Sequence, residues 1–323
     1  MSRGFLFKDK FYRGREMKAE MTLAEWIGKR QQSVRLTSLK TYESYERAHI
    51  IPFLGSQRLA SISNQHMMEF REHLKRKEKL APKTIRDIQG HLIKILKDAK
   101  SHGYIEAVPE AAKAVLKTSE KPILSQSEQK ILCETLKKDL NAKSMAVLLS
   151  VGAGLRLGEV MGLNVGDVDL EAGVLRVRYS RQRVKTAEED KTSVIKTALK
   201  TGKSRRDIPL NEPLKEILKE YLKHSTQKDI QKPLISWKEK RPIDARTIQY
   251  YFTELKKSHQ LDPSVTFHSL RHSFATRALE AGVDMQALSE LMGHSSVAFT
   301  LSCYGHCATE HKRAQMEKMA QCW

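Results

Sequence analysis

Cysteine is scarce: the 323-residue chain has four, at Cys133, Cys303, Cys307 and Cys322. A disulfide framework cannot hold together so long a chain with so few, and a reducing, cytoplasmic compartment is expected. Long apolar runs are missing too. The best stretch, Ala146 to Ala153, has the length of a core segment, far short of the ~18 residues of a membrane span. Phe5-Leu6-Phe7 is too short for the apolar region of a secretory signal. No GxxxxGK[ST] loop is present, so nucleotide triphosphate chemistry has no seat. HExxH, paired CxxC and GxSxG are absent as well. Cys303, His306 and Cys307 form only a lone pair with a histidine, a weak zinc signal, and no metal or cofactor is expected.

Acidic residues are in deficit. Against 57 Lys and Arg stand 38 Asp and Glu, a formal charge of +19, and the pI is near 9.7. Such a balance points to a polyanion partner, nucleic acid first and an anionic membrane surface second. No amphipathic anchor supports the membrane. With 40% hydrophobic residues the chain can still bury a core, and its length suits two domains.

Residues 1–20 read as a basic tail, with six basic and three acidic residues and no helical period. Residues 21–107 read as a helical domain of four helices. The first presents Leu23, Trp26 and Ile27. The second starts after Thr37 as N-cap and runs to Pro52. The third follows Ser63 with Met67, Phe70 and Leu74. The fourth has Pro82 in its first turn, then Ile85, Ile88, Leu92, Ile95 and Ala99. Residues 108–122, with Pro109 and Pro122, read as a linker. A second domain, 123–323, opens on a capping box formed by Ser125 and Glu128. From Leu175 the period changes to alternation. Leu175, Val177 and Tyr179 alternate with Arg176, Arg178 and Ser180, and a β-branched run through Thr192, Val194, Ile195 and Thr197 returns. This predicts a basic antiparallel β ribbon over 173–206, carrying eleven basic and three acidic residues. Helices resume from Glu212. The fold class is therefore mostly α with a small antiparallel β ribbon or sheet.

Several residues stand at the ends of these elements. Arg156 lies in a glycine-flanked turn, where burial would be costly without an anion; a capping arginine paired with Glu159 is the plainer reading. His268 and Arg271 share a helix face at i and i+3, beside a core stripe of Leu270, Phe274 and Ala278. His294 follows Gly293, a helix-ending glycine. Tyr304 lies on the next helix, at a spacing from Val297 and Leu301 that also suits a core tyrosine.

Taken in order, these stretches resemble the tyrosine recombinase (phage integrase) family, in particular phage and conjugative-transposon integrases. The matching segments are Ala153–Leu163 (AGLRLGEVMGL), Leu199–Leu210 (LKTGKSRRDIPL), His268–Thr276 (HSLRHSFAT), Leu291–Ser296 (LMGHSS) and Tyr304–His306 (YGH). The resemblance covers residues 20–323. It implies a helical core-DNA-binding domain and an α+β catalytic domain that together clamp DNA. It further implies that Tyr304 attacks a scissile phosphodiester, forming a 3′-phosphotyrosine and releasing a 5′-hydroxyl without metal or cofactor. Arg156, Arg271 and His294 would stabilise the phosphorane, Lys200 would be general acid, with Lys203 its competitor, and His268 would help accept the tyrosyl proton. Glu159 would support the arrangement.

The partners so implied are double-stranded recombination-site DNA, a homotetramer on that DNA and accessory DNA-bending proteins. The C-terminal stretch 308–323, with Met316, Met319 and Trp323, would be an exchange helix docking on a neighbouring protomer. Two departures stand out. Ten residues separate His294 from Tyr304, one more than in many members, and no other tyrosine follows His294. The ribbon is longer than in compact members and is expected to insert at the DNA and shape or clamp it. A type IB topoisomerase is the nearest alternative, and the helical first domain and the Leu-Met-Gly-His stretch weigh against it. A catalytically inactive DNA-binding regulator is the alternative from another class, against which the complete set with Tyr304 argues.

Overall fold

The computed structural model describes residues 20–30, 36–76, 80–110, 121–185, 192–199, 204–223, 229–237, 241–294, 296–304 and 316–317, and the side chains of all these except 36–38, 185 and 302–304. The chain is mostly helical with small antiparallel sheets, and forms two compact units divided at Ser119 and Glu120. Residues 1–19 of the basic tail, 111–120 of the linker, the ribbon tip at 186–191, Lys200, Lys203, and most of 308–323 lie outside the described residues.

The first unit is built from helices that each bury one stripe. Helix α1 (Leu23–Lys29) starts at Thr22, whose hydroxyl accepts from the Glu25 N–H, while the Glu25 carboxylate accepts from the Thr22 N–H. This reciprocal pair satisfies two of the first-turn donors. Helix α2 (Leu36–Tyr45) continues through a π turn (Glu46–Ile50) into the short α3 (Ile51–Leu54). The sequence reading ended this helix at Pro52 and placed Thr37 as its cap. In the structure Thr37 already lies in the helix, and the chain stays helical past Pro52. The π turn shifts the hydrogen-bond ladder just before the proline, which has no N–H to offer. Helices α4 (Asn64–Arg76) and α5 (Pro82–Ser101) complete the unit. Its core joins Leu23 and Trp26 of α1, Ile50, Leu54, Met67, Phe70 and Leu74, and Ile85, Ile88, Leu92, Ile95 and Ala99 of α5. One charge is buried here. Glu46 meets His91 at 2.7 Å and is also paired with Arg30, and Tyr42 stacks on the His91 ring. Partnered in this way, a carboxylate can be buried.

The second unit has α6 (Gln126–Lys138) and α7 (Ala142–Ala153) at its start. Asn141 caps α7, and the helix is buried nearly all round, from Met145 through Ala153. It ends where Gly154 turns left-handed, at φ 65°. A short helix, α8 (Leu157–Gly162), follows directly. The predicted single ribbon is in fact divided. A break at Arg178 separates β2 (Val174–Val177) from β3 (Tyr179–Lys185). Strand β2 lies between β1 (Val168–Asp169) and β5 (Arg206–Pro209) and buries Leu175 and Val177 with Ile208. Strand β3 instead pairs with β4 (Thr192–Ala198), from Tyr179 opposite Ala198 to Lys185 opposite Thr192. The alternation in the sequence puts Tyr179 on the face of Leu175 and Val177, but the parity changes at the break: Tyr179 is 42% exposed, and the buried positions of β3 are Ser180 and Val184.

Further helices close the unit: α9 (Glu212–Lys223), then after a hairpin of β6 (Ser236–Trp237) and β7 (Arg241–Pro242), α10 (Ala245–Ser258), α11 (Phe267–Glu280), α12 (Met285–Met292) and α13 (Val297–Tyr304). Helix α11 packs on α7 and is buried on most sides. Among the described residues no helix is long and apolar enough to cross a membrane.

Strand β3 rests on α8 with almost no gap. A methyl group added at Gly162 would stand 2.5 Å from the Tyr179 carbonyl oxygen, and one at Gly158 would stand 2.6 Å from the Ser180 hydroxyl. Backbone cannot yield there as a flexible side chain can. Gly162→Ala is therefore expected to destabilise the protein by about 1–3 kcal/mol in urea unfolding. An unchanged midpoint would mean that β3 can move off α8 freely.

Candidate active site

The site is assembled where three element ends of the second unit meet: the α7–α8 turn, the start of β5 and the end of α12. Arg156 is the N-cap of α8, and three residues on, Glu159 faces back toward it. The Glu159 carboxylate accepts the Arg156 backbone N–H at 3.0 Å and the Arg156 Nη1 at 2.6 Å. It is also held by Arg206, the first residue of β5, through Nη2 at 2.9 Å and Nη1 at 3.3 Å. Arg271 of α11 brings its Nη1 to 3.8 Å from the same group. Three guanidiniums thus surround one carboxylate that is only 1% exposed.

The arginines differ in depth. Arg271 is 2% exposed, so the sequence picture of a surface His268–Arg271 pair needs correction: α11 is buried on most sides, and its arginine points inward. Arg271 donates to the Gly154 carbonyl at 2.6 Å and to the Met292 carbonyl. These are acceptors at helix C-termini, where carbonyls lack intrahelical partners. Arg156 remains the outermost of the three, its side chain 39% exposed.

His294 is placed by a helix ending. Gly293 adopts φ 60°, and the His294 N–H donates back to the Ser289 carbonyl at 3.0 Å. The imidazole Nδ1 lies 2.7 Å from the Thr300 hydroxyl of α13, and the ring meets Phe299 edge to face. His268, in the first turn of α11, meets His272 edge to face with centroids 4.8 Å apart. Tyr304 is the last residue of α13; its side chain, like Lys200, is outside the described residues. So are the groups of Cys303, His306 and Cys307. Among the described residues no cluster of three or more His, Cys, Asp or Glu could hold a metal ion.

Two participants escaped the sequence reading. His272 is buried beside His268. Arg206 lies within the LKTGKSRRDIPL stretch, where the family resemblance points to the lysines. A signal for it existed: in a strand, Arg206 shares its face with Ile208, and both are buried. An arginine on the core face of a strand demands an anionic partner.

Electrostatics follow from this crowding. Burial alone would raise the Glu159 carboxyl, but Arg206, Arg156 and Arg271 overcome burial and hold it at about 2. Burial and the neighbouring cations lower the imidazoles. His294 drops to about 4, through burial and then Arg271, Arg156 and Arg206. His272 drops to about 3, through burial and then Lys121. His268 moves down for the same reasons, burial first and Arg271 next. All three are therefore neutral at pH 7. The array carries an excess of positive charge around neutral imidazoles, an environment suited to an oxyanion.

The linkage has a definite sign. His294 binds a proton more weakly folded than unfolded. As pH falls from the ordinary 6.5 toward about 4, the unfolded chain takes up a proton that the folded chain refuses. Stability is thus lost on acidification through this window, and the Glu159 contribution is lost only below 4.5. The melting temperature of the DNA-free protein should fall between pH 6.5 and 4.5, less steeply in His294→Gln. An identical slope in the variant would contradict the assignment.

Residues 122–311 match the phage integrase family, and residues 20–75 match the N-terminal SAM-like domain of phage integrases. A XerC-like tyrosine recombinase of Caldanaerobacter subterraneus is 27% identical over 257 residues, covering 73% of this chain and 66% of that protein. The XerA tyrosine recombinase of Thermococcus kodakarensis is 30% identical over 174 residues, 54% of each chain. The chain thus spans roughly half to two thirds of the length of these relatives. Among solved structures, a Tn1549 transposon integrase in complex with transposon right end DNA superposes with a TM-score of 0.78 at 25% identity, covering 93% of this chain and all of that one. A lambda integrase tetramer bound to a Holliday junction shares the fold, with a TM-score of 0.63 at 19% identity over 91% of this chain and 80% of that one. The matched domain covers more than half of the sequence, and the chain belongs to the phage integrase family.

Proposed function

We propose that the chain is a site-specific DNA recombinase that integrates or excises a mobile element through a 3′-phosphotyrosine intermediate. The observation that carries this reading is the excess of guanidinium over carboxylate around Glu159, next to two neutral imidazoles, His268 and His294. Tyr304 follows on α13, the helix whose Thr300 holds His294.

In this mechanism the Tyr304 oxygen attacks the scissile phosphorus. A P–O bond to tyrosine forms as the bond to the 5′-oxygen breaks. His268, unprotonated at neutral pH, helps take the tyrosyl proton, and Lys200 supplies a proton to the leaving 5′-oxygen. Arg156 and Arg271 carry the added charge of the phosphorane, and His294 donates a further hydrogen bond. Removing one such preorganised donor costs roughly 2.7–4 kcal/mol in comparable oxyanion sites. The phosphotyrosine keeps the energy of the broken bond, so a 5′-hydroxyl from a partner strand can reverse the step.

Residues 21–107 act as the core-DNA-binding domain, 108–122 as linker and 123–323 as catalytic domain, the two closing as a clamp on the duplex in the cytoplasm. Phosphate contacts dominate affinity. At about 6–10 such contacts, binding should weaken by roughly 10³–10⁵ between 50 and 200 mM salt. Residues 308–323 serve as an exchange helix in a homotetramer on DNA, helped by accessory bending proteins. Deleting Met316–Trp323 should weaken assembly on DNA in gel-shift experiments; normal complexes would remove this role.

The decisive test of the reaction is covalent trapping. The protein is mixed in EDTA with element-end DNA nicked near the cut and run on a denaturing gel. A slow protein–DNA band in the wild type, absent in Tyr304→Phe, is expected. A band that persists in Tyr304→Phe would contradict the nucleophile.

A further inference from the structure

Arg206 carries none of these steps, yet it touches Glu159, which pairs with Arg156, and Leu291, at the end of the helix that leads into His294. Its guanidinium takes both oxygens of Glu159, and its Nε donates to the Leu291 carbonyl at 2.6 Å. Gly293 leans on the same group: a methyl there would stand 2.9 Å from Arg206 Nη1. One side chain therefore ties together α8, which is capped by Arg156, and the α12 ending that leads into His294.

Glu159 has a single charge and three claimants. Arg206 meets it fork to fork, the strongest carboxylate geometry available to an arginine. Of the Arg156 guanidinium only Nη1 reaches it, beside the residue's backbone N–H, and the side chain stays 39% exposed; Arg271 stands off at 3.8 Å. While Arg206 neutralises the carboxylate from within, Arg156 is held by one corner. Take Arg206 away, and the attraction of a buried carboxylate falls on Arg156 instead, strengthened by the low local dielectric. The Leu291 carbonyl loses its donor in the same stroke, and the Gly293–His294 turn loses the surface it rests on.

We propose that Arg206 is a positioning residue for strand cleavage: it neutralises Glu159 so that Arg156 stays available to the scissile phosphate, and it fixes the turn that aims His294. This inference rests on the recombinase reading above. It predicts a loss in the chemical step rather than in DNA binding. It also predicts that the loss depends on the negative charge of Glu159, which a role in folding alone does not.

The experiment uses the full chain and the nicked element-end duplex, with DNA affinity measured by fluorescence anisotropy and the single-turnover rate of covalent complex formation measured at saturating DNA. Arg206→Gln should bind DNA within threefold of wild type and cleave at least a hundredfold more slowly. The double variant Glu159→Gln with Arg206→Gln should cleave at least tenfold faster than Arg206→Gln alone, because a neutral amide no longer draws Arg156 inward. Should Arg206→Gln not fold, Arg206→Lys keeps a cation for Glu159 but cannot also reach Leu291. It should then cleave at least tenfold more slowly than wild type with unchanged affinity. Cleavage within threefold of wild type in the folded single variant would overturn the proposal, as would a double variant no faster than Arg206→Gln. A wild type that forms no Tyr304-dependent covalent complex would overturn the recombinase reading itself.

Discussion

The structure of the second unit depends on one buried carboxylate. Glu159 is the point at which residues far apart in the chain agree on a geometry: Arg156 at a helix start, Arg206 at a strand start and Arg271 inside a helix. The Arg206 and Arg271 guanidiniums also donate to backbone carbonyls, and the Arg156 backbone N–H donates to the same carboxylate, so the group fixes main chain as well as side chains. A buried ion pair of this kind adds little to stability compared with a well-packed apolar replacement, because removing two charges from water is expensive. Its value here is orientation. The arrangement holds three cations in fixed places around one buried group.

The surrounding fold serves the same end. Helix α7 is buried along its length and stops at Gly154, so Arg156 emerges from a rigid element rather than from a long loop. Helix α8 then carries two glycines that let strand β3 lie directly on it. The β3–β4 hairpin is thereby seated on the same short helix that bears Glu159. On the far side, Arg271 and Arg206 take two successive carbonyls, Met292 and Leu291, at the end of α12. The last turn of that helix is therefore held by side chains of the site, and the direction of His294 follows from it.

Much of this was legible in the sequence because it lies in local patterns. The capping box of Ser125 and Glu128, the stripe of α5 and the glycine before His294 each rest on neighbours within a few residues. Motif order then singled out Arg156, Glu159, His268, Arg271 and His294. What stayed hidden is non-local. The path of α2 past Pro52 depends on a π turn that no periodicity announces. At Arg178, where β2 leaves off and β3 joins β4, the buried face changes from Leu175 and Val177 to Ser180 and Val184, while the sequence carries its alternation on through Tyr179. Arg206 looked like one more basic residue in a basic segment. Only its distant partners, Glu159 and Leu291, distinguish it from Arg205 beside it, whose Nε reaches the nearby Leu199 carbonyl.

Glu159 is an ionised carboxylate held by three arginines. The most direct measurement is a pH titration of its side-chain carboxyl by carbon-13 NMR, in protein labelled at glutamate and assigned with Glu159→Gln. Glu159 should stay unprotonated from neutral pH down to the acid limit of the folded state, as expected for a group held at about 2. A midpoint at or above the ordinary 4.5 in folded protein would contradict it.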